Sequence, residues 1–389
     1  MTQWLIRRFV KEPENTANPV VRGQYGTLGS SVGIGVNVLL AVVKFLTGLM
    51  TGSVAVTADA ANNLSDAGGS VISLISIRLA QKPVDREHPF GHGRMEYLGA
   101  RAVGVLILLR GVELLSSGVE SILHPVKPAF GWVPFALLVA SILLKGWLYR
   151  FYNHIGKKID ASALLAAAKD SLSDMLATSA VALSMLASLV TDFPVDGVMG
   201  VIVAVLVLKA GWGVCRDTVD SLIGGKPDQE LGCRVIDMLM AYDQIQGTHD
   251  LILHDYGPGR CIASVHAEVP ADGNLLALHE IIDRAEREIS KELNIPICIH
   301  MDPVVSGDEE TDRVSALLMD YLRSRNEGLM LHDMRRVPGD KQTNLIFDVV
   351  IPAGYKKTDA LEADIAAYAR TIDPTHCCVI HFDVDYYHH

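Results

Sequence analysis

The chain has 389 residues, 49% of them hydrophobic and 20% charged, and a formal net charge of −11 at pH 7. This acidic balance argues against a nucleic-acid partner. The apolar residues are concentrated in residues 28–223, whereas residues 226–389 have the composition of a soluble acidic domain. The division predicts an N-terminal arm (residues 1–25), a membrane domain (26–224) within a lipid bilayer, and a cytosolic region after it.

Six apolar segments of the membrane domain are long enough to cross a bilayer, which takes about 20 helical residues. They lie at roughly 28–50, 54–80, 96–123, 131–152, 161–187 and 194–222. Lys and Arg are concentrated in the N-terminal arm and in the loops after the second and fourth segments, and the opposite loops hold only Lys127. The positive-inside rule therefore predicts a multi-pass protein of the inner (plasma) membrane with both termini in the cytoplasm.

Polar side chains interrupt two of these segments. Asn62 and Asp66 are four residues apart in the second segment, and Asp170 and Asp174 are four apart in the fifth. Residues i and i+4 of a helix share a face, so each segment can point two oxygen ligands at one place. A carboxylate in hydrocarbon costs at least about 2.5 kcal/mol, which favours a bound cation over hydrogen bonding between helices. We predict a divalent-cation site on these four residues, with a proton relay as the alternative.

The segments also carry isolated basic residues. Lys169 is next to Asp170, and adjacent residues on a helix do not face each other, so we expect Lys169 to point away from the site. Arg110 and Glu113 are three residues apart and are expected to form a local ion pair. The other lysines of the spans are expected to snorkel or to face water: Lys44, Lys145 and Lys209.

The loop after the second segment has three candidate metal ligands, Asp85, His88 and His92. Loop histidines are usually just solvated, so this triad alone would be weak evidence. Its position directly after the Asn62 and Asp66 segment makes a second metal site, with nitrogen and oxygen ligands, the favoured interpretation.

These motifs together resemble the cation diffusion facilitator family. The resemblance rests on "DAANNLSD", "HPFGHGRMEY" and "DSLSD" in this order, on six spans and on a cytosolic C-terminal domain, and it covers residues from about 20 to 305. It implies a homodimeric secondary active transporter that exchanges metal for H⁺ by alternating access, rather than an enzyme, with no prosthetic group. It also implies a transport site at the four residues of the second and fifth spans, a loop site at the Asp–His–His triad, and a packing or gating role for Asp59.

The ligand types bear on the identity of the metal. Zinc-type family members resemble this pattern but have His at the position of Asn62, of Asp170, or of both. Here all four side chains offer oxygen, and oxygen donors suit Mn²⁺, Mg²⁺ and Ca²⁺, whereas imidazole suits Zn²⁺. The set resembles the manganese-exporting branch, so we predict Mn²⁺ efflux. Because raw affinity favours zinc over manganese, Zn²⁺, Fe²⁺, Co²⁺ and Cd²⁺ stay open as substrates.

The same carboxylates suggest how metal and proton movements are coupled. Three aspartates around one divalent cation leave a local charge of −1, and three carboxylates without the cation repel each other. They are then expected to bind protons, so that metal and H⁺ compete for the same oxygens.

Other functions are open at this stage. One is an exporter of Zn²⁺ and Fe²⁺ or of divalent cations in general. Another is a metal-sensing membrane scaffold with vestigial transport, which the intact four-ligand set disfavours. A channel is disfavoured because a four-ligand site suits tight binding better than fast conduction. The sequence has no H-E-x-x-H motif, which argues against an intramembrane metalloprotease.

The cytosolic region has an internal repeat. Residues 225–305 are predicted to run helix, strand, strand, helix, strand, and residues 306–389 repeat this order. "LMLHDMRRVPG" echoes "GTHDLILHDYG", and "HCCVIHFDVDY" echoes "PICIHMDP". The predicted fold is therefore an α-helical membrane bundle of six transmembrane helices followed by two tandem α+β modules. The family resemblance implies one ferredoxin-like, dimer-forming module of this kind, so the second is a departure.

The first of these repeats has five candidate ligands for a regulatory cation between protomers, as the family resemblance implies: His249, His266, His279, His300 and Asp302. Local hydrogen bonding near the strand ends is an equally good account of them. The second repeat keeps three equivalent residues and replaces His266: His332, His381 and Asp383, with Asp348 at the replaced position. For these residues we favour local hydrogen bonding.

Overall fold

The computed structural model describes residues 2–16, 18–51, 54–124, 131–187, 189, 195–225, 228–304, 308–339, 341–352 and 359–385. It divides into two compact units, Met1–Lys226 with Asp255–Arg260, and Pro227–His254 with Cys261–His389. Most of the loops on the side opposite the predicted cytoplasmic face lie outside the described residues, including Lys127. The orientation predicted from basic residues therefore stays a prediction.

The first unit is helical. A short helix precedes six long ones: α1 (Thr2–Phe9), α2 (Pro19–Thr51), α3 (Val54–Ala80), α4 (Met95–Leu123), α5 (Trp132–Lys158), α6 (Ser162–Ala187) and α7 (Val195–Ile223). The long helices agree with the six predicted segments, except that α2 begins earlier and α5 ends later. The extension of α5, residues 153–158, is largely polar, whereas that of α2, residues 19–27, mixes polar residues with the buried Val21 and Tyr25.

Within the described residues, four helices are long and apolar enough to cross a membrane: α2, α4, α5 and α7. The other two long helices, α3 and α6, are those with the paired polar residues, which lower their hydropathy. Both pack against apolar partners, α3 against α2 and α6 against α5. Six spans therefore stay a proposal that depends on these two helices being surrounded by the other four.

Helices α4 and α7 pack against each other along much of their length. A Cβ atom at Gly118 of α4 would lie only 2.9 Å from the backbone nitrogen of Val201 on α7, so a glycine is needed for the two backbones to come this close. The core of the unit contains residues of α4 and α7 as well as of the other helices, and its buried aromatic residues lie on α2 and α5: Tyr25, Phe151 and Tyr152.

The second unit contains two sheets, each with its own hydrophobic core. The first module consists of α8 (Gln229–Leu239), β1 (Gly247–Asp255), β2 (Cys261–Pro270), α9 (Leu275–Leu293) and β3 (Ile297–Val304). The second module consists of α10 (Glu309–Arg325), β4 (Met330–Pro338), β5 (Thr343–Pro352), α11 (Asp359–Ile372) and β6 (His376–Asp385). The sheet orders are β1-β2-β3 and β4-β5-β6, and the second and third strands of each sheet are parallel.

Candidate metal centre

Helices α3 and α6 bring the predicted transport ligands together. The carboxylate oxygens of Asp66, Asp170 and Asp174 lie within 4.8 Å of one another. Asn62, one turn before Asp66 on α3, lines the same cavity, which has a volume of about 610 Å³. The i, i+4 spacing on each helix thus gives one group of oxygen donors, as the sequence indicated.

Close packing of small residues holds the two helices in this arrangement. Ala163, Ala166 and Ala167 of α6 are buried, and the hydroxyl of Ser73 on α3 donates to the backbone oxygen of Ala163 at 3.5 Å. One turn earlier on α3, the hydroxyl of Ser70 lies 3.1 Å from that of Tyr152 on α5. These bonds fix the rotation of α3, and with it the direction of Asp66.

A lysine of α5 lies in the middle of this group of carboxylates. Lys145 of α5 was predicted to snorkel or to face water, but its side chain is only 3% exposed. Its Nζ donates to Asp66 Oδ2 at 2.8 Å and to Asp174 Oδ2 at 2.7 Å. The prediction was wrong because a buried ammonium needs a buried anion, and these two carboxylates are close enough to provide it.

A second cation approaches Asp66 from α4. Arg110 donates to Asp66 Oδ1 and to the backbone oxygen of Asn62, both at 3.0 Å. The ion pair of Arg110 is therefore with Asp66 and not with Glu113, the local partner that its spacing suggested. Lys169 does point away from the cavity, towards Asp217 at 3.3 Å, which confirms that expectation. With Lys145 and Arg110 included, three carboxylates face two fixed positive charges.

The remaining acidic residue of α3, Asp59, is paired as well. Its Oδ2 lies 2.8 Å from Nζ of Lys44, whose side chain is 4% exposed. Lys44 is thus buried against a carboxylate and does not snorkel, contrary to the expectation from sequence.

The three predicted loop ligands also come together. The Nδ1 of His88 lies 3.2 Å from Asp85 Oδ1, and the Nε2 of His92 lies 3.5 Å from Asp85 Oδ2. Backbone N–H groups of Glu87 and His88 also donate to Asp85, and the bond from His88 holds the pKa of Asp85 below its ordinary value. The Nδ1 of His92 is buried and has no hydrogen-bond partner within the described part of the chain. The triad therefore has the ligand types and spacing for a divalent cation.

Comparison with known families agrees with this geometry. A family model of the cation efflux transmembrane domain matches residues 30–223, and a model of the cation efflux protein cytoplasmic domain matches residues 227–304. The chain belongs to the cation diffusion facilitator family. Its second module, from residue 305 onwards, lies outside both matches.

Relatives of this cation diffusion facilitator include a transporter that is named for manganese. The manganese efflux system protein MneS of Bacillus subtilis is 28% identical over 72% of this chain and 96% of its own length. The cation-efflux pump FieF of Cronobacter sakazakii is 27% identical over 72% of this chain and 94% of its own. An uncharacterized transporter of Methanocaldococcus jannaschii is 27% identical over 69% and 95%. The resemblance to the manganese branch that the sequence suggested is confirmed by the first of these.

In the cytosolic part of this cation diffusion facilitator, the first module brings together three of its five candidate ligands. The Nε2 of His249 lies 3.1 Å from Asp302 Oδ2, and the Nδ1 of His266 lies 2.9 Å from the same oxygen. The ring of His300 is farther, with its Nε2 3.7 Å from Asp302 Oδ1. His279 lies apart from this group, on α9, where its partner is Asp283 at 3.6 Å.

Glu268 is a further member of this cluster that the sequence analysis did not include. Its Oε1 lies 3.3 Å from the Nδ1 of His249. Burial opposes protonation of His249, but the Glu268 carboxylate beside its Nδ1 and the charges of the nearby aspartates outweigh this effect and raise the pKa of His249 to about 9. The sequence could have predicted this position of Glu268, because it is two residues after His266 and side chains two apart on a strand share a face.

Proposed function

We propose that this chain exports Mn²⁺ from the cytosol in exchange for H⁺, by alternating access around the cavity between α3 and α6. The observation that carries this proposal is the composition of the four-residue cluster, which has only oxygen donors and no imidazole. Oxygen ligands suit Mn²⁺, and Mg²⁺ is disfavoured because it dehydrates reluctantly. The similarity to MneS, a manganese efflux system protein, supports the same metal.

The contacts of Lys145 add a step to this mechanism. Its ammonium occupies the Oδ2 atoms of Asp66 and Asp174, two of the oxygens that the metal would need. Binding of Mn²⁺ must therefore displace Lys145, and the return of Lys145 favours release of the metal. Protons that bind to the carboxylates act in the same direction, since each one removes a charge that holds the cation.

The membrane arrangement is part of the proposal. We take all six long helices as spans, with α3 and α6 enclosed by the apolar four, and both termini in the cytoplasm as the distribution of basic residues indicates. The cytoplasmic-domain match supports a homodimer. The loop triad and the first-module cluster would bind the same kind of ion from the cytosol.

The test is uptake into proteoliposomes with an imposed pH gradient, with Mn²⁺ and Zn²⁺ compared in parallel. Asp174→Ala removes one transport ligand and Asp170→Asn removes one negative charge from the site, and each should abolish uptake. Asp217→Asn is the matched control, because Asp217 is also a membrane-domain aspartate paired with a lysine but lies outside the cavity. It should transport at the wild-type rate.

The outcomes separate the possible functions. Wild-type uptake of Zn²⁺ without Mn²⁺ would overturn the choice of metal and favour a zinc exporter, whereas equal uptake of both would indicate a broad divalent exporter. Uptake that does not depend on the pH gradient would exclude proton antiport. If no divalent cation moves but the cytosolic modules bind metal, the scaffold interpretation is correct.

A further inference from the structure

The second module, which neither family match covers, has a cluster of its own. Ligand atoms of Asp348, His381 and Asp383 lie within 4.8 Å of one another. The Nδ1 of His381 is 3.0 Å from Asp383 Oδ1 and 4.0 Å from Asp348 Oδ1. Two carboxylates crowded in this way, with an imidazole beside them, form a donor set that suits a divalent cation.

This cluster lies at the same place in its module as the first cluster does in the first module. In the first sheet, His266 pairs with His300, and Glu268 with Asp302. In the second sheet, Asp348 pairs with His381, and Val350 with Asp383. Both clusters therefore lie across the parallel pair formed by the second and third strands, on equivalent registers.

The first strands of the two modules share an unusual backbone feature. Asp250 and Asp333 both have positive φ, 53° and 48°, a region that residues other than glycine rarely adopt. Each follows a histidine, His249 in β1 and His332 in β4. In β4 this position coincides with an irregularity in the pairing with β5. The same uncommon conformation at two equivalent positions indicates that both strands have the same local bend. In the first module this bend brings the ring of His249 next to the carboxylate of Asp302.

The two clusters also lie close to each other. The rings of His249 and His332 are nearly parallel, with centroids 6.2 Å apart. His332 pairs with Asp348 across β4 and β5, so this ring contact joins a ligand of the first cluster to the strand neighbour of a ligand of the second.

We propose that the second module binds a divalent cation on Asp348, His381 and Asp383, and that this site and the His249–His266–Asp302 site form one two-cation centre between the modules of a single chain. The sequence favoured local hydrogen bonding for these residues, but both close partners of His381 are carboxylates. Cations at both sites would remove the repulsion between the acidic groups of the two modules and hold the modules together.

The stoichiometry of Mn²⁺ binding tests the new site. The full-length protein in detergent would carry Asp174→Ala and His92→Ala, which disable the transport and loop sites, and bound Mn²⁺ would be counted after equilibrium dialysis. We expect two cations per chain in this background and one fewer after Asp383→Asn or His381→Ala. Asp364→Asn, an exposed aspartate on α11 paired with Arg325, is the control and should retain both.

Electron paramagnetic resonance of the same samples tests the pairing. Two Mn²⁺ ions in one centre should broaden each other's signal, and Asp383→Asn should sharpen the signal of the ion that stays. A count that does not change after His381→Ala would overturn the site, and this variant is safe for folding because the side chain is 74% exposed. Two bound cations without mutual broadening would overturn the shared centre. Neither result depends on transport. The two-cation centre can therefore be disproved while Mn²⁺ export stands, and Mn²⁺ export can be disproved while the two-cation centre stands.

Discussion

Lys145 is the residue whose removal should change transport in the most informative way. Because its ammonium competes with the metal for Asp66 and Asp174, Lys145→Met should strengthen Mn²⁺ binding and slow its release. We expect both KM for Mn²⁺ and kcat to fall in proteoliposome uptake. Breaking a buried ion pair costs on the order of 3–5 kcal/mol, so the metal-free variant should also unfold at a lower temperature.

Lys145→Arg retains the positive charge and serves as the control. It should keep a higher KM than Lys145→Met, even if the larger guanidinium fits less well. A rise in KM for Lys145→Met would show that the ammonium helps to hold the site in its binding geometry and does not compete with the cation.

Asn62 is the position at which the metal preference should be adjustable. Asn62→His places one imidazole among the oxygen donors, which should shift the ratio of kcat/KM from Mn²⁺ towards Zn²⁺ by a factor of about 10, equivalent to about 1.4 kcal/mol. The measurement is paired uptake of both ions. Asn62→Gln, which retains an amide oxygen, should keep the wild-type ratio. If Asn62→His also keeps the wild-type ratio, the ligand type at position 62 does not set the selectivity between Mn²⁺ and Zn²⁺.

For the individual residues of the transport site, the sequence predicted the positions of the aspartates better than those of Lys145 and Arg110. Asn62 and Asp66 are related by the fixed geometry of one helix, so their spacing is enough to place them on one face. The partners of Lys145 and Arg110 lie on other helices, and only the packing of those helices decides them. A lone lysine inside an apolar segment that also faces unpaired carboxylates was the available clue.

The glycines between α4 and α7 determine how closely these elements pack. A Cβ at Gly118 would lie 2.9 Å from the backbone nitrogen of Val201 and 3.1 Å from the carbonyl carbon of Gly200. Neither backbone atom can move without moving α7. Gly118→Ala should therefore lower the thermal midpoint in detergent, since overpacking costs about 1–3 kcal/mol and outweighs the gain in helix propensity.

Gly35→Ala is a matched control on α2, because nothing lies within 4 Å of its Cβ position. It should be neutral or slightly stabilising, by up to about 1 kcal/mol. Equal midpoints for the two variants would mean that α4 and α7 are less closely packed in solution than described.

The helices themselves were predictable to within a few residues where an apolar stretch and a helix coincide, as in α3 and α6. They were not predictable at the start of α2 or the end of α5, because hydropathy reports where the hydrocarbon ends and not where the backbone hydrogen bonding ends. The order of helices and strands along each cytosolic module was predictable from the internal repeat, whereas the contact between His249 and His332 was not.

For the molecule as a whole, the raised pKa of His249 predicts a pH-dependent stability of its cytosolic unit. The folded-state pKa of about 9 is above the ordinary value of 6.5, so the folded protein holds a proton that the unfolded chain releases. The resulting stabilisation is complete below about pH 6.5 and is lost as pH rises through about 9. Scanning calorimetry of the metal-free protein should show the unfolding midpoint of this unit falling over that range.

His249→Gln should remove most of this slope, because glutamine does not titrate. His279→Gln is the control, since that histidine lies outside the cluster on α9. A slope that survives in His249→Gln would assign the pH dependence to other groups.

The duplicated cluster has an evolutionary consequence. In an assembly of two identical subunits, every substitution appears on both sides at once, so the halves cannot diverge. Here the two copies are encoded separately, and they have already diverged: Asp348 stands opposite His381 where His266 stands opposite His300, and Val350 takes the place of Glu268. A single gene can thus evolve two cation sites of unequal affinity side by side, which a symmetric pair of subunits could not do.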